Sequence, residues 1–164
     1  MSETATPAPV WPLLFSFKGP VIGQGFLAVV DLRGRLLARQ EPEGLVLDGV
    51  NPGGFTCLAP TFELANLDLR ATLLEVLADI AVEAETVETF QREVERFFHE
   101  TDAGTVATWQ AAVAQFREAR LSPPPEPLPQ WSAESALYVH VTLKDLAGVM
   151  PTDNAERPTL AAAA

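Results

Sequence analysis

The side chains best equipped for chemistry are few. They are one cysteine, Cys57, two histidines, His99 and His140, and a glycine-rich turn, Asn51-Pro52-Gly53-Gly54, just ahead of the cysteine. A thiol beside an imidazole makes a nucleophile with its base, and adjacent glycines let a backbone approach a phosphate closely. Neither device is complete here. A phosphate loop of the Walker type needs Lys and then Ser or Thr after its last glycine, whereas Gly54 is followed by Phe55, Thr56 and Cys57. His99 lies among Glu95, Glu100 and Asp102, where a helix end and nearby acids already account for a histidine. The turn therefore reads as structural and Cys57 as a small packing group; a small enzyme using Cys57 with His99 or His140 is the alternative. Gly23-Gln24-Gly25 is expected to have no strand before it and no helix after it, both of which a dinucleotide fingerprint requires. The histidines are far apart and the cysteine is single, so no zinc-ligand spacing exists, and neither a metal nor a cofactor is expected.

These residues belong to a chain of 164 residues, enough for one domain with a core. Its 48% hydrophobic and 20% charged residues are those of a globular protein, with no apolar run long enough to cross a bilayer. The N-terminus lacks the basic and apolar regions of a secretory signal, so a cytoplasmic location is expected. A net charge of −11 argues against direct binding of a nucleic-acid backbone, which rewards clustered Lys and Arg. That charge is uneven: residues 61–102 carry three bases against eleven acids, while residues 1–60 carry four against five. An acidic helical surface results, which either solvates the protein or meets a basic partner.

The alternation of Phe26, Ala28, Val30 and Leu32 predicts a half-buried strand, with Asp31 and Arg33 on its other face. Links at Arg33-Gly34 and at Glu41–Gly44 predict three short strands in an antiparallel meander, the last over Leu45–Val50. Asn51, Pro52, Gly53 and Gly54 are then the crossover from that strand to a helix capped by Thr61. Leu64, Leu67, Ala71, Leu74, Ala78 and Ala81 repeat at three and four, predicting the face that lies on the sheet. Thr86 caps a second helix whose apolar side holds Val87, Phe90, Val94, Phe97 and Phe98. A third, from about Thr105 to Ala119, carries Val106, Trp109, Ala112, Val113 and Phe116 as a core-facing stripe.

Ser122–Pro129 cannot continue a helix and is expected to be a polyproline II spacer. Beyond it, the alternation from Leu137 to Leu143 predicts a fourth strand, which must borrow a sheet edge in its own chain or in another. The expected class is thus α+β: a three-stranded antiparallel meander covered by a long helix, with further helices and a fourth strand at an edge. The organisation expected is an arm over 1–20, the main domain over 21–121, a linker over 122–130, a strand segment over 131–150 and a disordered tail over 151–164.

The stretch GQGFLAVVDLRGRLLARQEPEGLVLDGVNPGGFTCLAPTFELANLDLRATLLEVLADIA resembles the HicB-like domain in its order of short strands, glycine-bearing elbow, Thr start and overlying helix, over about residues 24–82. It departs from the usual form at the helix start, which reads Phe62-Glu63-Leu64-Ala65 where consecutive acids followed by Ala are common. The resemblance implies an antitoxin-type, non-enzymatic module of a toxin–antitoxin system that covers a small basic ribonuclease toxin. The family's C-terminal DNA-binding element does not carry over, because only Lys144 and Arg157 stand against five acids after Leu121. Glu75, Asp79 and Glu83 on the acidic helix, with Val139 and Val141 on the fourth strand, are the expected partner-binding residues. An orphan homo-oligomer joined through strand edges is the other non-enzymatic reading.

Overall fold

The computed structural model describes residues 9–118, 124, 128–144 and 159–163. Strands β1 (Val10–Ile22), β2 (Leu27–Glu41), β3 (Gly44–Asn51) and β4 (Gly53–Ala59) form an antiparallel meander. Helices α1 (Phe62–Glu83), α2 (Val87–His99) and α3 (Ala103–Arg117) follow, then β5 (Gln130–Trp131), β6 (Tyr138–Lys144) and β7 (Thr159–Ala163). The sheet order is β4-β3-β2-β1-β7-β5, and β6 pairs with β2 off that path. The α+β meander covered by helices is therefore present, with strands that differ from those expected.

The residues expected to be an N-terminal arm supply β1, which pairs with β2 from Val10↔Arg39 to Ile22↔Leu27. Trp11, Leu13, Phe15 and Phe17 alternate into the core, and their burial outweighs the breaks suggested by Pro12, Gly19 and Pro20. A strand thus does precede Gly23-Gln24-Gly25, but the second strand of the hairpin follows it and no helix does.

The two strands expected on either side of Arg33-Gly34 are one strand, β2. One of its edges pairs with β1 along nearly its whole length. The other edge is shared: β6 takes Leu27–Arg33 and β3 takes Arg35–Glu41, so the partner changes at Gly34. Gly34 serves here as a site of close approach, since an added Cβ would lie 2.0 Å from the Asn51 carbonyl oxygen. The strand expected over Leu137–Leu143 does pair within its own chain, antiparallel to β2. The tail expected to be disordered contains β7, which pairs with the middle of β1 and buries Leu160, Ala161, Ala162 and Ala163. Most of the proline-rich linker lies outside the described residues.

Asn51–Gly54 is a hairpin turn between β3 and β4, with a cis Asn51-Pro52 bond, and so is not the expected crossover to a helix. The Gly53 N–H donates to the Glu100 carbonyl at 3.2 Å, holding the turn to the end of α2. Gly54 has a φ of +81°, open to glycine without strain.

Helices α1 and α2 cover one face of the sheet. Thr61 and Thr86 cap them as expected, their hydroxyls accepting from the Leu64 and Thr89 N–H groups. The face α1 buries is Phe62, Ala65, Leu69, Leu73, Leu77 and Ala81, which shares only Ala81 with the expected stripe. Helix α1 is apolar on two opposite sides, and spacing cannot choose between them. Phe62, Leu69, Leu73 and Leu77 fill the core, each stabilising it by about 2 kcal/mol. Leu64 and Leu67 are left 48% and 42% exposed. The α2 stripe is as expected, with Phe90, Val94 and Phe98 buried. Helix α3, capped by Asp102, lays Trp109, Ala112 and Val113 over Leu14, Leu37 and Val50 on the opposite sheet face. No described helix is long and apolar enough to cross a membrane.

Candidate functional site

Strand alternation sends Ala28, Val30, Leu32 and Leu36 of β2 into the core under α1 and α2, and Asp31, Arg33, Arg35 and Arg39 to the opposite face. Lys18 on β1 and Tyr138 and His140 on β6 share that face, through the pairs Lys18↔Asp31, Asp31↔His140 and Arg33↔Tyr138. A chain with a net charge of −11 thus gathers cations on one side of its sheet. Arg39 is neutralised by Glu41 at 2.9 Å and Asp48 at 2.6 Å. Arg33 and Arg35 have no carboxylate at ion-pair distance among the described residues.

Both arginines are half-buried and fixed by aromatic rings. The Arg33 guanidinium lies 4.9 Å from the Trp131 ring centre and 5.5 Å from that of Tyr138, which in turn stacks on His140. Arg35 lies 4.9 Å from the Trp109 ring centre, and its Nε donates to Asn51 Oδ1 at 2.7 Å. The Trp109 indole N–H donates to the Leu13 carbonyl, so the ring that supports Arg35 is itself held. Burial lowers the Arg35 pKa from the usual arginine value, yet an arginine stays cationic at neutral pH. Cation–π contact orients both groups without neutralising them.

This cluster was not among the expected site residues. The alternation of Asp31 with Arg33 was legible, as was that of Tyr138 with His140. Reading Arg33-Gly34 as a turn hid Arg35, and only the tertiary fold brings Trp109 and Trp131 to the same strand. Asn51, expected as a turn residue alone, is also the hydrogen-bond acceptor that orients Arg35.

Glu75, Asp79 and Glu83 are exposed along α1, away from the sheet. Val139 and Val141 are half-buried against the core beside α2, so their side chains serve packing. What β6 leaves unpaired among the described residues is its backbone edge.

Cys57 lies beneath α1, its sulfur 3.9 Å from the Thr72 hydroxyl. Desolvation is the main cause that pushes its thiol up to about 11, so it is protonated at neutral pH. His140 projects from the opposite sheet face and His99 is exposed at the end of α2. We expect a disulfide reagent at pH 8 to leave the folded thiol untouched and to titrate it fully on unfolding; fast native reaction would instead mark a reactive cysteine. Cys57→Ala is expected to cost only about 1 kcal/mol in denaturant melts. With the fold and these groups in place, no family model, curated protein or solved structure matches the chain.

Proposed function

We propose that the protein is a non-enzymatic, HicB-like interaction module that binds a small basic protein, of the kind a ribonuclease toxin would be, through the outward face of α1. The observation that carries this reading is the second apolar stripe of that helix. Leu64 and Leu67, with Ala71, Ala78 and the 65% exposed Val82, run along the side away from the sheet. Asp68, Glu75 and Asp79 border the stripe and are exposed as well. A helix with one apolar side in the core has no folding reason for a second, and contiguous exposed apolar surface marks interaction sites. The flanking carboxylates suit a cationic partner by speeding encounter and fixing register.

The test is co-purification with the product of the neighbouring gene, where that product is a small basic protein. Glu75→Lys with Asp79→Lys is expected to weaken the complex by about tenfold or more and to flatten its salt dependence. Undiminished binding by a variant with an unchanged circular-dichroism melt would overturn the proposal. A second reading, self-association through the edge of β6 left unpaired among the described residues, draws on Leu143, which is 58% exposed. Sedimentation equilibrium of the purified chain separates the two: a dimer lost on Leu143→Lys supports the edge.

A further inference from the structure

The arginine pair on the other side of the sheet has no part in that interaction. We propose that Arg33 and Arg35 form a binding site for a small ligand bearing two oxyanion groups. They lie two residues apart on one strand face, so their backbone origins are roughly 7 Å apart. Trp131 and Tyr138 stand against the Arg33 guanidinium and Trp109 against that of Arg35, whose Nε already donates to Asn51, which leaves the terminal N–H groups of Arg35 as donors. Arg33 Nε is buried without a hydrogen-bond partner among the described residues, an unsatisfied donor that a small shift of the side chain would bring to a ligand oxygen. A ligand with two oxyanion groups can pair with both arginines, each a planar donor fork without a carboxylate partner among the described residues.

The surroundings narrow the ligand further. Asp31 is the nearest acid along the strand face, and it stands between Lys18 and His140 in register, which leaves the arginines' charge in excess. The acidic helices α1 and α2 pack on the other face of the sheet, so their carboxylates do not share the arginines' face. Tyr138 already carries both Arg33 and His140, so its ring is not a free platform for a nucleic-acid base.

The experiment titrates the full chain with inorganic pyrophosphate, inorganic phosphate, citrate and acetate, at ionic strength held constant with sodium chloride. Binding is read from the Nε–Hε resonances of Arg33 and Arg35 in heteronuclear spectra. Pyrophosphate or citrate is expected to shift both resonances with an affinity at least about tenfold above acetate. Preference between the two assigns the site to phosphoryl or to carboxylate ligands. Arg35→Gln is expected to lower that affinity by about tenfold or more, and the exposed Lys144→Gln to leave it unchanged. Should Arg35→Gln fail to fold, Arg35→Lys keeps the charge but loses the planar fork, and is expected to bind weakly as well. Shifts matched by sodium chloride alone, or unaltered in a folded Arg35 variant, would overturn the proposal.

Discussion

Replacing Gly34 by alanine is expected to lower the melting temperature by roughly 6–12 °C, from a cost of about 3 kcal/mol. The added methyl would lie 2.0 Å from the Asn51 carbonyl oxygen and 2.5 Å from an edge carbon of the Phe15 ring. The first of these atoms is backbone, so no rotamer change relieves the clash. Relief requires moving β3 away from β2 where the outer edge of β2 passes from β6 to β3. The displacement would also disturb Asn51, and with it the hydrogen bond that holds Arg35. A thermal melt that matches the wild type would show that the strands part without cost there, and would remove the argument that Gly34 is a packing glycine.

Removing residues 159–164 is expected to cost about 4 kcal/mol, which corresponds to roughly 8–16 °C in melting temperature. Leu160 and three alanines leave the core, and Leu13 to Ser16 of β1 lose their outer partner. The hydrogen bond from the Ala162 N–H to the Pro129 carbonyl is lost too, so β5 loses its strand partner among the described residues. Trp131 is then released from its place beside Arg33. A red shift in tryptophan emission should accompany the loss of stability. A truncated chain with native stability and native emission would mean that these residues are a dispensable tail.

How much of this was legible in the sequence depended on the range of the interactions concerned. The caps Thr61 and Thr86 were readable, because each satisfies N–H groups only three residues away. The α2 stripe was readable for a related reason: with Glu88, Glu93 and Glu95 on its other side, just one arrangement buries Phe90, Val94 and Phe98. The alternation of β6 likewise identified a strand that needs a partner, and β2 supplies it. For α1, local pattern ran out. Its two apolar stripes satisfy the same periodicity, and only contact with β4, β3 and β1 decides that Leu69, Leu73 and Leu77 go inside while Leu64 and Leu67 stay out.

Gly34 shows the same limit in a strand. As a local signal it means a turn, because glycine is poor at holding an extended backbone; in the fold it is extended, because Phe15 and Asn51 occupy the space a side chain would take. The alanines of β7 carry no strand preference of their own, and they join the sheet because β1 offers an edge beside its buried centre. The arginine cluster is furthest from what sequence can reveal. Its members come from β2, α3, β5 and β6, segments that neither spacing nor charge counting relates to one another. The caps, the single-striped helix, the strand alternation and the acidic balance are all consequences of neighbours along the chain and could be read from it directly. Tertiary structure alone decided which apolar face was buried, where glycine meant contact, and which cations came together, because those depend on atoms far apart in sequence competing for the same space.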